Sequence, residues 1–324
     1  MENILIFDTS FASSNKGDDI IMECTRKELA PLLQDNFEIN LPTQIPPFHW
    51  YQVLKSSTTY RKFADCKWKF VGGSNVMVPN LFTHYAQWNI NLFNYQANKG
   101  CIMVGVGAGA GAEKGSNWYT RYIYQHMLNR EYFHSARDER SKAYMESLGL
   151  KAINTGCVTM WMLTPEHCVQ IPTRKADKVV FTLTAYNKDE NDQVLIDTLQ
   201  KNYSEIYFWP QSIGDYKYLQ SLENIDGIHI LQASKEAYDH FLTENDTDYV
   251  GTRLHGGVYA MRHKRRAIIV AIDERARAIN ERNHLNCIEK ADMPQLSDMI
   301  NSEIKTNITI PFDEIKRWKA QFGL

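Results

Sequence analysis

The residues best suited to chemistry lie in Gly251-Thr252-Arg253-Leu254-His255-Gly256-Gly257. An apolar run meets a small-residue helix start there. If the segment is extended, Arg253 and His255 alternate along it and point the same way. Backbone N–H groups at the helix start favour an anion at the same spot. An arginine fork, an imidazole and a helix N-terminus together suit a phosphate or a carboxylate. The plainer reading of His255 is a histidine satisfied within the core. A second candidate is Arg137 in Ser135-Ala136-Arg137-Asp138-Glu139-Arg140-Ser141, where a strand gives way to a helix. It could present its fork to an anion or pair with Asp138.

Three further segments are placed to touch ligands. Ser13-Ser14-Asn15-Lys16-Gly17-Asp18-Asp19 follows the first strand. Asp18 or Asp19 could cap the next helix, or Asn15 and Asp18 could bond sugar hydroxyls. Gly72-Gly73-Ser74-Asn75 and the glycine-rich run 105–115 each follow an apolar strand. The latter lacks the full G-x-G-x-x-G pattern and its trailing acidic residue, so it is weak as a nucleotide fingerprint. No P-loop pattern occurs. Ala271-Ile272-Asp273-Glu274-Arg275-Ala276-Arg277 adds charge after the next strand, and the basic run 262–266 reads as a solvated turn.

The elements that must position these residues alternate. Strand-like runs cover residues 3–7, 67–71, 101–106, 132–136, 178–183, 205–209, 228–231, 249–251 and 266–272. Helical spacing covers 18–33, 82–98, 138–148, 192–201, 235–242, 255–262 and 311–324. Such alternation predicts an α/β fold with parallel sheets. We expect two doubly wound Rossmann-like domains facing across a cleft, with ligands at the carboxyl ends of the strands. The expected division is 1–165, 166–310, and a C-terminal helix, 311–324, packing back on the N-terminal domain. The linker lies within 164–177. Trp318 and Phe322, four residues apart, supply the last helix with a face to bury.

Composition excludes several classes. A chain of 324 residues, 44% hydrophobic and 23% charged, is an ordinary globular one. Its net charge of -2 gives no global pull toward nucleic acid or an anionic membrane. The opening MENILIFDTS reads as a strand and not as a signal peptide, and no apolar run is long enough for a membrane span. Six cysteines without a C-x-x-C pair fit reduced thiols in the cytoplasm. No clustered ligand set predicts a metal, and no cofactor is expected.

In order and spacing, N-K-G-D-D, G-G-S-N, S-A-R-D-E-R-S, W-P-Q-S, G-T-R-L-H-G-G and A-I-D-E-R resemble the polysaccharide pyruvyl transferase family, over nearly the whole chain. Arg275 stands where many relatives carry lysine. The resemblance implies a fold similar to the glycosyltransferase B type. It implies phosphoenolpyruvate as donor substrate and an oligosaccharide or lipid-linked glycan, the precursor of a surface polysaccharide, as acceptor. It further implies donor contacts from Arg137, Arg253, His255, Gly256 and Arg275, the first three being catalytic. Acceptor contacts would come from Asn15, Gly17, Asp18, Gly73 and Asn75. Peripheral association with the inner membrane face is the one membrane relation this reading admits, and it leaves the oligomeric state open. Two other readings stand beside it: a nucleotide-sugar glycosyltransferase of the same fold, and a non-catalytic carbohydrate-binding protein.

Overall fold

The computed structural model describes residues 1–47, 49, 51–52, 55, 63–83, 87–272 and 274–324, without the side chains of Glu274, Arg275 and Ala278. The chain divides into two compact units. Unit 1 comprises Met1–Ser13, Ile21–Trp161 and Pro311–Leu324; unit 2 comprises Ser14–Ile20 and Met162–Ile310. The passage between them at Trp161 and Met162 comes just ahead of the expected linker. Residues 14–20, placed by the sequence reading in the N-terminal domain, group with unit 2.

Unit 1 is built on β1 (Asn3–Asp8), β2 (Phe37–Pro42), β3 (Trp68–Val71) and β4 (Cys101–Met103), paired in the order β2-β1-β3-β4. All these pairs are parallel. Ile4, Leu5, Ile6 and Phe7 are all fully buried, which explains an unbroken apolar run: a central parallel strand is covered on both faces. The run expected as a strand over 101–106 stops early because Gly105 turns the backbone to a φ of +63°. Val106 then bridges in parallel to Ala136 of β5 (His134–Ala136), which pairs with β6 (Ala152–Asn154). Between them run α1 (Lys16–Gln34), α2 (Trp118–Met127) and α3 (Glu139–Ser147). Helix α1 begins in unit 2 and continues in unit 1.

The helix expected over 82–98 does not form among the described residues; only Tyr95–Asn98 make a 3-10 turn. Asparagine side chains compete for the backbone here. Asn94 Oδ1 accepts from Asn91 N–H, Asn91 Oδ1 from Phe93 N–H, and Asn94 Nδ2 donates to Asn89 O. Such local bonds favour turns over helix.

In unit 2 six parallel strands are ordered β12-β11-β10-β7-β8-β9. They are β7 (Lys178–Thr182), β8 (Glu205–Phe208), β9 (Ile228–Ile230), β10 (Asp248–Gly251), β11 (Ala267–Ala271) and β12 (Cys287–Glu289). The interleaved helices are α4 (Pro165–Cys168), α5 (Asn191–Asn202), α6 (Ile213–Leu219), α7 (Lys235–Glu244), α8 (Leu254–Arg262), α9 (Glu274–Asn283) and α10 (Leu296–Asn301). Val179, Phe181, Val250, Ile268 and Val270 form the middle of one apolar core. The chain winds outward from β7 to β9, then returns to β10 on the other side of β7. That reversal opens a switch point at the carboxyl ends of β7 and β10, where doubly wound sheets take ligands. The equivalent reversal in unit 1 lies between β1 and β3.

The last helix, α11 (Phe312–Ala320), belongs to unit 1. Trp318 and Phe322 are buried. Trp318 Nε1 donates to Phe133 O over 2.9 Å, and Phe322 meets Phe70 edge-on at 5.1 Å.

Candidate functional site

In unit 2 the switch point carries Arg253. Strand β10 ends at Gly251, and Arg253 is already the residue that precedes α8, with φ -97° and ψ 100°. His255 sits in the first turn of α8, 9% exposed. The expected strand-like alternation of Arg253 and His255 is therefore corrected: the helix starts at Leu254, so a period of two does not apply across these residues.

The Arg253 guanidinium is held on one edge. Its Nη2 lies 2.6 Å from both carboxylate oxygens of Asp215, and its Nε lies 3.1 Å from Oδ2. Asp215 is fully buried on the first turn of α6, and its Oδ1 also accepts the Ala185 N–H at 3.0 Å. The Tyr186 ring stands 5.3 Å from the guanidinium. This geometry leaves Nη1 of Arg253 with no hydrogen bond among the described residues. The arginine is thus locked in one orientation while two of its N–H groups stay available to a ligand.

Hydroxyl groups fix the backbone beneath. Thr182 Oγ1 accepts the Arg253 N–H at 3.2 Å and lies 2.6 Å from the Tyr249 hydroxyl, which donates to Arg253 O. Burial pushes the Tyr249 phenol well above its ordinary range, so it serves as a neutral donor. Thr184 and Thr252 bond through their hydroxyls at 2.8 Å. Gly256 and Gly257 let α8 approach the sheet: a Cβ on Gly256 would lie 2.9 Å from Gln211 Nε2 and 3.1 Å from the Tyr249 hydroxyl, and one on Gly257 would collide with Ile269.

The N-K-G-D turn belongs to the same unit. Asn15 Oδ1 accepts the Gly17 N–H at 3.2 Å, so Asn15, rather than either aspartate, closes the start of α1. Lys16 N–H donates to Gln211 O at 2.9 Å, and Lys16 Nζ pairs with Asp19 at 3.1 Å. Asp18 is buried.

In unit 1, Arg137 is 6% exposed between β5 and α3. Its Nη2 donates to Asn75 Oδ1 at 2.7 Å, and its Nε lies 3.6 Å from the Asp138 carboxylate. Asp138 also accepts the Ser141 N–H and so caps α3. A side chain at Gly107 would collide with Arg137 and Asn75. Part of the glycine-rich run is thereby explained without a nucleotide: it makes room for an arginine. Gly73 serves backbone packing, since its Cβ would lie 2.9 Å from Gly105 O; its own carbonyl accepts from Thr9 Oγ1 at 2.9 Å.

The family model for polysaccharide pyruvyl transferases matches residues 15–274, from the N-K-G-D turn to the segment after β11. The chain belongs to the polysaccharide pyruvyl transferase family. Its members are enzymes that act on glycans. No curated protein matches the sequence. Among solved structures, the S. aureus MnaA–UDP co-structure is similar over 99% of this chain and 96% of that one, at 9% identity and a TM-score of 0.53. A putative UDP-N-acetylglucosamine 2-epimerase from Listeria monocytogenes is similar over 99% and 95%, at 13% identity and a TM-score of 0.52. These likenesses show the fold: two Rossmann-like α/β units of the glycosyltransferase B kind.

Against this frame, Arg253, His255 and Gly256 gather at the unit 2 switch point, with the turn carrying Asn15, Gly17 and Asp18 in the same unit. Arg137 and Asn75 are bonded to each other in unit 1, although the sequence reading put them on opposite substrates. The Arg275 side chain and Asp273 lie outside the described residues. Sequence reasoning missed Asp215 and Gln211. The S-x-x-D spacing of Ser212 and Asp215 was a signal, but it is that of a capping box. Ser212 does accept the Asp215 N–H, whereas the Asp215 carboxylate turns to Arg253.

Proposed function

We propose that this family member transfers the pyruvyl group of phosphoenolpyruvate to two hydroxyls of one sugar, closing a cyclic ketal and releasing inorganic phosphate. The observation that carries the reading is Arg253, oriented by buried Asp215 at a sheet switch point, with no hydrogen bond on Nη1 among the described residues. A planar cation fixed in this way suits a donor that bears a carboxylate and a phosphate.

In this reading a proton goes to the methylene carbon of the donor, making an oxocarbenium-like centre at C2. One sugar hydroxyl adds there, phosphate leaves, and the second hydroxyl closes the ring. One hydroxyl proton balances the new methyl group and the other departs with phosphate. His255 is assigned the proton transfer, since an imidazole can both take and give a proton. Arg253, Gly256 and Arg275 are assigned to the donor, as is Arg137. Asn15, Gly17, Asp18, Gly73 and Asn75 are assigned to the acceptor. The arginines supply the positive charge the transition state calls for, so the reading needs no metal or cofactor. Phosphoenolpyruvate places the reaction in the cytoplasm, on a glycan or lipid-linked precursor. Among the described residues no helix is long and apolar enough to cross a membrane.

The test is incubation with phosphoenolpyruvate and candidate glycans. Phosphate release together with a ketal mass gain on the glycan is expected. Sugar nucleotides in place of phosphoenolpyruvate probe the glycosyltransferase reading, and release of a nucleoside diphosphate would overturn ours.

A further inference from the structure

The carboxamide of Gln211 is buried within unit 2, and its Nε2 is left without an acceptor among the described residues. The residue is 2% exposed. Its backbone carbonyl is used by Lys16 N–H at 2.9 Å. A buried amide in this state costs the fold stability unless something else satisfies it.

Its surroundings indicate what would satisfy it. Oε1 lies 3.2 Å from where a Cβ on Gly17 would stand, and Nε2 lies 2.9 Å from where one on Gly256 would stand. Gly17 is in the first turn of α1, and Gly256 is in the first turn of α8. The amide is therefore wedged between two helix N-termini, of helices 19 and 9 residues long. The N–H groups of Lys16, Gly17 and Asp18 at the start of α1 are taken by Gln211 O, Asn15 Oδ1 and Asn15 O, while the start of α8, beside Nε2, brings the positive pole of its dipole. Four residues after Gln211, Asp215 anchors Arg253, whose Nη1 has no hydrogen bond among the described residues. The positive charge at this place comes from Arg253 and the start of α8; the start of α1 instead brings Asp18, Asp19 and the Asn15 Oδ1 acceptor, on the side of the amide that carries Oε1.

We propose that Gln211 Nε2 donates a hydrogen bond to an oxyanion of the bound donor, seated at the first turn of α8 beside Arg253. This rests on the phosphoenolpyruvate reading above and adds to it a substrate-contact residue. The oxyanion belongs to either the phosphoryl or the carboxylate group; both ask for the same donor. Because Gln211 O also holds Lys16 N–H, one residue serves the donor and fixes the turn assigned to the acceptor. An amide N–H with no acceptor among the described residues selects for an acceptor-rich ligand in a way that an aliphatic side chain of similar length would not.

The experiment uses the full chain and Gln211→Leu, with Gln211→Glu as a second variant of the same shape should the first not fold. Phosphoenolpyruvate, inorganic phosphate and pyruvate are titrated calorimetrically, and melting is followed with and without each. For Gln211→Leu the ligand-free melting temperature should hold or rise, because an unsatisfied amide has been removed. Affinity for phosphoenolpyruvate should fall about 10-fold, and more for Gln211→Glu, whose charge repels the anion. Loss of phosphate affinity alone assigns the amide to the phosphoryl group; loss of pyruvate affinity alone assigns it to the carboxylate. Unchanged affinity with a lowered ligand-free melting temperature makes Gln211 a structural residue and overturns the proposal, while the donor reading stands. If the unaltered protein binds none of the three, the donor reading falls and this inference falls with it.

Discussion

Unit 2 holds two buried arginine–aspartate pairs at opposite ends of one sheet, and they are built to different ends. Asp248 opens β10, and Arg266 stands just before β11. Arg266 Nη1 donates to Asp248 at 2.7 Å, and its Nη2 reaches the carbonyls of Met299, Ile300 and Ser302. The Tyr203 hydroxyl and the Ala176 N–H complete the carboxylate. Both Nη atoms of that guanidinium are used in closing the end of α10 against the sheet, and its buried Nε alone has no partner among the described residues. At the carboxyl end of the same β10, Arg253 gives one edge to Asp215, and its Nη1 has no hydrogen bond among the described residues. An ion pair that uses both ends of its fork is a fastening; one that uses a single edge is a mount. Two histidines stand in the two units. His134 accepts the Met103 N–H on Nδ1 and bonds Asn129 O through Nε2, so both ring nitrogens are spent. His255 stands on the first turn of α8 beside the mount.

The contrast breaks most visibly at His255. His255→Gln should lower turnover ~10²–10⁴-fold if the ring moves the proton, with melting little altered. Pyruvyl transfer at the parent rate would remove that role. Next comes the fastening. Arg266→Ala leaves Asp248 buried without its partner and should cost about 3–5 kcal/mol in chemical denaturation. The protein that remains folded should bind donor as before; weakened donor binding there would blur the distinction between the two pairs.

His134 gives an effect of about 3 kcal/mol with a defined sign. Burial holds the ring down at about 4, below its ordinary value near 6.5. Between those values the unfolded chain takes up a proton that the folded chain refuses. Stability from this group is therefore complete above about pH 6.5 and is lost as pH falls toward 4. Denaturation midpoints across that window check it, and His134→Asn should flatten the slope. The smallest effect sharpens the mount itself. Arg253→Lys keeps the charge beside Asp215 but loses the planar fork. Donor affinity should weaken by about 1.5–3 kcal/mol, measured by titration, while stability changes far less. A large loss of stability with intact donor affinity would make Arg253 a second fastening.

Much of this was legible in the residues. Apolar runs such as Ile4 to Phe7 and Ala267 to Ala271 mark buried parallel strands, because a strand covered on both faces must be apolar at every position. Their alternation with helical spacing suffices for the α/β class. Gly149, with a φ of +78°, ends α3 as its position suggested. Arg253 and His255 could be singled out because glycine, arginine and histidine stand together at a strand end.

Tertiary structure alone decided which groups meet. Asp215 lies 38 residues from Arg253, and Asn75 lies 62 from Arg137. Nothing in the local spacing around either aspartate or asparagine names such a partner, since loop closure brings them together. Gln211 stands in the sequence only as part of the W-P-Q-S motif; that its side chain is buried between two helix starts is a matter of tertiary structure. Residues 14–20 read as part of the first domain and group with the second, because Lys16 finds its acceptor on Gln211. Periodicity reports whether a residue faces water or core. It carries no information on which distant backbone shares that core, and the partners of buried polar groups are set by that choice.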